Sequence, residues 1–442
     1  MSFYFDHTRG EKMRNNLSVQ IHEKPAKKST WAILSIQHVF AMFGATILVP
    51  ILTGLDVGVS LVASGIGTLI YIAFTRAKVP VYLGSSFAYI SSIATVSVAT
   101  GNHQSAYVGL MAVGLIYVVV ATIIRFTGST WIKKILPPVV VGPMIIIIGL
   151  SLAPTAVQET GLKGIAILLE QGKYVGVSGA AWKVPLVSFI TFASVVLISM
   201  KAKGFLKIVP FLVAIVIGYV SAIFLGIVDM SAVFEGYSFF QIPNFTFLGT
   251  YKLDFSAVIV FAPLALVTIA EHIGDHVVLG EITGNDFFEE PGMHRTIMGD
   301  GVATFVSAAL GGPANTTYGE NTGVIAMTGV GSVWVIGLAA IFAICLGFLG
   351  YIQALIASIP WAVIGGMTII LYGLIAANGV KVLIQDRTDL GKMKNLVIVS
   401  TMLVVGLGGA SIQFGANIAI SGMSLAAIFG IILNGVLSYL EK

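Results

Sequence analysis

The chain has 442 residues, of which 57% are hydrophobic and 10% charged, with a mean hydropathy of +0.96 and a formal net charge of +4. Soluble domains carry about 25% charged residues, so this composition excludes a soluble globular protein. Recurring apolar runs of about 20 residues, instead of alternating segments of about ten, exclude a porin-like barrel and leave an all-α polytopic membrane protein.

Residues 1–30 are polar and basic and lack the apolar core and small-residue cleavage site of a signal peptide, so they read as a cytoplasmic tail before a retained first span. Apolar runs then predict about fourteen spans. They lie near 31–53, 57–75, 80–97, 106–126, 137–153, 184–200, 206–228, 255–280, 297–311, 313–328, 331–352, 355–377, 395–412 and 420–440. The third and tenth are shorter and more polar than the rest. Of the 24 Lys and Arg residues, all but Lys163, Lys173, Lys183 and Lys252 fall on the side of the N-terminus. The positive-inside rule therefore puts both termini in the cytoplasm and requires an even number of spans in the cytoplasmic membrane, in contact with lipid. Topology accounts for the basic residues, and no nucleic-acid partner is expected. Two longer outside segments are read at 154–183 and 229–254, and the loop Glu281–Thr296 reads as a solvated connection. The single cysteine, Cys345, permits neither an intrachain disulfide nor a thiolate metal site.

The tenth span holds Pro313–Gly323, a polar interruption centred on Glu320. Polar groups at membrane depth are costly and usually functional, and irregular backbone there must be buried in protein or line a cavity. A broken helix facing a substrate follows. Seven spans per half would invert the second half relative to the first. Gln37-His38 and Glu271-His272 lie 234 residues apart, and the same offset carries Ser86 to Glu320. This predicts two inverted seven-span repeats, with Gly84–Ala88 facing Tyr318–Thr322 across a pseudo-two-fold axis. Small residues at Gly84, Ser85, Gly319 and Gly323 let backbone approach a ligand. Broken helix starts offer N–H donors, and Phe87 offers a face for a flat ring.

Span eight contains Glu271, His272, Asp275 and His276. The two acids share one helical face and the two histidines a neighbouring one. Two carboxyl groups one turn apart in a low-dielectric surround can take up and release protons. With Glu320 they supply what a proton-coupled carrier needs. His272 and His276 have metal-ligand spacing, but Ile273 stands where the zincin pattern requires Glu. No nucleophile motif or P-loop adds support for an enzyme, and a channel would need rings of like residues or an oligomer. No metal or cofactor is expected.

Four ordered motifs now stand together: Gln37-His38 with Phe40–Thr46, Gly84–Ala88, Ala270–His272, and Asn315–Asn321. They resemble the nucleobase–ascorbate transporter family, also called nucleobase:cation symporter 2, and within it the bacterial carriers of uracil. The resemblance covers nearly the whole chain after the N-terminal tail. It implies a core domain of spans 1–4 and 8–11 (31–136 and 255–353) and a gate domain of spans 5–7 and 12–14 (137–254 and 354–442). Short antiparallel strands are implied in the third and tenth spans, around Ser86 and Tyr318. The function implied is proton-coupled uracil import by alternating access, with a purine such as xanthine or uric acid as the alternative cargo. By the same resemblance Glu271 and Glu320 are carboxylate ligands, Phe87 and Gly319 give backbone N–H groups, and Tyr372 faces the site from the gate. Ser86, Tyr318 and Ala45 complete the implied pocket. Glu271, Asp275 and His272 are the proton-coupling candidates, Asp275 departing from the His of some related uracil carriers. A homodimer is also implied. Uracil offers two N–H donors and two carbonyl acceptors, and a buried polar group left unpaired costs about 1–3 kcal/mol, which is a source of selectivity.

Overall fold

In a computed structural model, the described residues are 17–163, 181–247, 251, 254–413 and 419–441. Much of the two predicted outside segments, with Lys173 and Lys252, falls outside them, as does most of the N-terminal tail. The chain runs through α1 (Lys28–Thr53), α2 (Val57–Phe74), β1 (Leu83–Ser85), a 3-10 turn at Phe87–Tyr89 and the short α3 (Ile90–Thr100). It continues through α4 (Gln104–Thr127), α5 (Pro138–Ser151), α6 (Lys183–Lys201) and α7 (Pro210–Phe224). The second half holds α8 (Phe255–Thr283), α9 (Met293–Ala309), β2 (Asn315–Thr317), α10 (Gly319–Thr328) and α11 (Val333–Gly347). It ends with α12 (Trp361–Gln385), α13 (Met393–Leu407), the paired β3 (Ser411–Gln413) and β4 (Ala419–Ser421), and α14 (Gly422–Leu440). Among the described residues, 8 helices are long and apolar enough to cross a membrane, with shorter apolar helices between them.

Local chemistry sets several boundaries. Asp56 caps α2 by accepting from Val59 N at 2.8 Å, and Asp254 caps α8 by accepting from Ser256 N at 3.0 Å. Gly54 ends α1 in the left-handed region, with φ 75°. The twelfth apolar run, predicted to stop at 377, is instead divided between a short helix at Gly350–Ala357 and α12, which begins after Pro360 and reaches Gln385. Asn378, Lys381 and Gln385 therefore lie on a helix and not in a loop. The end of the N-terminal tail is tied down: Ser18 N donates to Gly329 O at 2.7 Å, Trp334 Nε1 donates to His22 O at 3.1 Å, and Lys24 Nζ stands 4.2 Å from the Trp334 ring centroid.

Packing falls into two groups. In one, α9 lies on α4 and α2, α11 lies on α2 and α1, and α8 lies on α4. In the other, α12 lies on α5 and α6, α13 on α14 and α5, and α6 on α7. The groups meet mainly where α8 touches α14 and α5 and where α1 touches α7. Close crossings rest on small residues, as expected where lipid supplies no hydrophobic drive between helices. A methyl on Gly114 of α4 would come within 2.6 Å of Gly301 O on α9, and one on Gly379 of α12 within 2.5 Å of Gly142 O on α5.

At the centre of the first group β1 and β2 pair antiparallel, Leu83 with Thr317, Gly84 with Thr316 and Ser85 with Asn315. Tyr318 N to Tyr82 O at 3.1 Å and Ser86 N to Ala314 O at 2.9 Å extend the ladder. Two buried strands leave two unpaired edges, a cost the protein must meet from neighbouring side chains. Thr68 of α2 accepts from Leu83 N at 2.9 Å, and Ser64 donates to Leu83 O at 2.8 Å. On the other edge Thr304 of α9 accepts from Asn315 N at 3.2 Å and donates to Asn315 O at 3.1 Å.

Candidate functional site

Each strand feeds a helix start. β1 leads through Ser86 to Phe87, and β2 leads through Tyr318 to Gly319, the first residue of α10. No side chain caps α10, so its first N–H groups have no partner within the helix. The Tyr318 hydroxyl donates to Ser85 O at 3.0 Å and accepts from Thr46 Oγ1 at 3.2 Å, which fixes the turn between strand and helix. Its ring lies so close over Gly84 that a methyl there would be 2.3 Å from it. Asn321 Nδ2 donates to His38 O at 3.1 Å, tying α10 to the Gln37-His38 pair of α1.

These helix starts border a cavity of about 470 Å³ between α8 and α10 on one side and α5 and α12 on the other. Glu271 and Asp275 of α8 and Glu320 of α10 line it, with Phe87 and Gly319 beside them. Gly274, Gly319 and Gly323 line it too, and a methyl on any of the three would meet no protein atom within 4 Å. The space therefore reaches down to backbone. Asp275 accepts from Thr317 Oγ1 at 2.5 Å, which orients this carboxyl from the strand. From the α12 side come Leu371, Leu374, Asn378, Lys381 and Gln385.

Other predicted site residues are placed differently. Tyr372 does not line the cavity; it lies buried behind Phe87, ring centroids 6.4 Å apart at 76°, and its hydroxyl has no hydrogen-bond partner among the described residues. Ser86 is buried beneath the same wall, its hydroxyl likewise unpartnered among the described residues. Ala45 lines a smaller space of about 130 Å³ between α1 and α7, and Glu320 borders both spaces. His272 turns away altogether. Its Nδ1 lies 2.9 Å from Asp300 Oδ2 on α9, both side chains wholly buried. His276 packs on it with ring centroids 4.0 Å apart and pairs through Nε2 with the Tyr71 hydroxyl at 2.5 Å.

Two residues of this region, Asp300 and Lys381, do not stand out in the sequence as members of the site. Asp300 is a carboxylate inside an apolar run, but it stands alone in Gly299-Asp300-Gly301, with no second polar residue beside it. Lys381 lies past 377, the predicted end of the twelfth span, and so reads as a loop charge. Thr317 belongs to the polar interruption and to the Asn315–Asn321 motif, but its partner depends on the strand that sets it against Asp275.

The arrangement can hold a small flat polar molecule: carboxyl acceptors from two helices, backbone N–H groups at an uncapped helix start, an aromatic wall and bare glycine backbone. Comparison with known proteins bears on which molecule. A family described as "Permease family" matches residues 29–414. The uracil permease of Bacillus caldolyticus is 46% identical over 426 residues, 96% of this chain and 95% of that protein. The uracil permease of Bacillus subtilis (strain 168) is 45% identical over 432 residues, 96% of each chain. The transmembrane domain of a cyanobacterium bicarbonate transporter, BicA, superposes with a TM-score of 0.62 at 17% identity, over 92% of this chain and 99% of that one. At that identity the likeness is one of fold.

Proposed function

The chain belongs to this permease family, whose members are membrane transporters and not enzymes, and from that premise we propose that it imports uracil together with a proton across the cell membrane by alternating access. The observation that carries the reading is the shared cavity, where Glu271 and Glu320 reach the same space beside Phe87 and Gly319. The two carboxyl groups accept from the ring N–H groups, the backbone N–H groups of Phe87 and Gly319 donate to its carbonyl oxygens, and the Phe87 ring covers one face. Tyr372 supports Phe87 from the gate side. Glu271 and Asp275, one turn apart, carry the proton and exchange it with water in the cavity they line. His272 acts at a distance, holding α8 to Asp300.

Fourteen spans in two inverted repeats complete the proposal. Its support is that the main helix contacts recur when each helix of one half is exchanged for the one seven places away in the other half. The pairing of α4 with α9 repeats as α11 with α2, α6 with α12 as α13 with α5, α6 with α7 as α13 with α14, and α1 with α7 as α8 with α14. The edges of the strand pair are met from α2 and α9, which are also related by that shift. The first packing group is the core domain, the second the gate domain, and both termini lie in the cytoplasm.

The test is uptake of radiolabelled uracil into proteoliposomes, with and without an inward proton gradient and with excess unlabelled xanthine in parallel. Gradient-dependent uptake that xanthine does not compete away is expected. Uptake of xanthine in place of uracil would move the substrate to the purines, and uptake indifferent to the gradient would remove the proton from the mechanism.

A further inference from the structure

The cavity continues well past the proposed uracil position. Along α8 its wall runs from Glu271 through Asp275 and Val278 to Ile282 near the helix end; along α12 it runs from Leu371 through Asn378 and Lys381 to Gln385. Asn378, Lys381 and Gln385 recur at helical spacing and make one polar stripe on an otherwise apolar helix, and all three are exposed. Titratable side chains on the wall are Glu271 and Asp275 from α8, Glu320 and Tyr318 from the β2–α10 segment, and Lys381 from α12. The Tyr318 hydroxyl is engaged by Ser85 and Thr46. From α5 and α7 come only Ile145, Ile148 and Phe211. Lys381 is thus the one cation on a wall with three acids, among the described residues. No carboxylate stands within ion-pair distance of it in this conformation, again among the described residues.

The acids and the lysine belong to different packing groups, so motion of one group against the other changes their separation. Once uracil and the proton have left, at least one acid on this wall is an anion. Carrying an unpaired anion through the apolar barrier on the return stroke is costly. Resting on the proposed transport reading, we infer that Lys381 is the counter-cation of the emptied carrier. Asp275, the acid farthest along α8 toward the mouth, loses its proton to water there. Its carboxylate then pairs with the Lys381 ammonium as the groups slide, which closes the mouth and neutralises the site for return. Reprotonation on the far side breaks the pair. Lys381 is a positioning residue in this scheme and does not touch the substrate.

The scheme separates two assays. Net accumulation needs the empty carrier to return, whereas exchange of external labelled uracil for internal unlabelled uracil does not. In proteoliposomes Lys381→Met is expected to lower gradient-driven net uptake at least fivefold while exchange stays within twofold of the wild type, and Lys381→Arg is expected to restore net uptake. Wild-type net uptake in Lys381→Met, equal loss of uptake and exchange in a variant of unchanged melting temperature, or failure of Lys381→Arg to restore uptake would each overturn the assignment. A wild-type protein that moves no uracil in either assay overturns the transport reading itself.

Discussion

Glu271 and Glu320 stand on separate helices and border the same space, so each can be removed without dismantling the other's support. On the proposed binding mode, replacing Glu320 by Ala would leave a ring N–H of bound uracil unpaired, which costs about 1–3 kcal/mol, roughly a five- to 150-fold loss of affinity at 1.4 kcal/mol per factor of ten. Scintillation-proximity binding of labelled uracil should register that loss with little change in melting temperature; wild-type binding by Glu320→Ala would remove this residue from the site. Glycine gives a sharper contrast. A methyl at Gly323 meets no protein atom and projects into the cavity, whereas one at Gly84 meets the Tyr318 ring at 2.3 Å. Gly323→Ala is therefore expected to depress uracil binding at an unchanged melting temperature. Gly84→Ala should depress the melting temperature itself, by overpacking that costs about 1–3 kcal/mol.

Among the elements, the buried strand pair is the most demanding, because three residues per strand leave as many backbone groups outward as inward. Thr68 and Thr304 answer that demand from α2 and α9. Thr304→Val keeps the shape and deletes the hydroxyl, so Asn315 N loses its acceptor in the interior. Thermal denaturation in detergent should report a destabilisation of about 1–3 kcal/mol, the usual cost of an orphaned buried donor. No loss of stability would mean that this edge is satisfied some other way. The capping carboxylates work at the aqueous ends in the same manner. Hydrogen bonding from Ser256 holds the Asp254 carboxyl below its usual range, so its contribution to α8 is complete at neutral pH and fades as pH falls through that lowered value.

For the whole molecule, the two packing groups meet over a limited set of helices, and the cavity lies between them. A transporter needs that layout, since each group stays intact while the interface changes. Topology can be checked on the same frame. With Cys345 replaced by Ala, a cysteine at Gln385 should react with a membrane-impermeant maleimide in inside-out vesicles and not in right-side-out ones, and a cysteine at Lys163 should do the reverse. Labelling of both from one side would break the span assignment on which the inverted repeat rests.

Composition determined that the chain is a membrane protein, since no soluble fold tolerates so few charges and so much apolar surface, and the length of its apolar runs determined that it is helical. Four short motifs marked the family, and the family match and the two uracil permeases bear that resemblance out. Glu271, Asp275 and Glu320 stand out in the sequence for one reason, that an acid inside an apolar run has no cheap explanation, and all three line the cavity. The partner of each group was not legible. Helical periodicity tells which residues share a face and is silent on what that face meets: sequence groups His272 with the acids of α8, and packing sets it against Asp300. Strand register requires both strands at once, and Leu83 and Thr317 are brought together by contacts between helices far apart in the chain. Lys381 reads as a loop charge in the sequence because it lies past the apolar run, yet a long side chain can carry its charge to water while the helix continues to Gln385. Only the tertiary structure turned that charge, and three acids from another packing group, toward the same cavity.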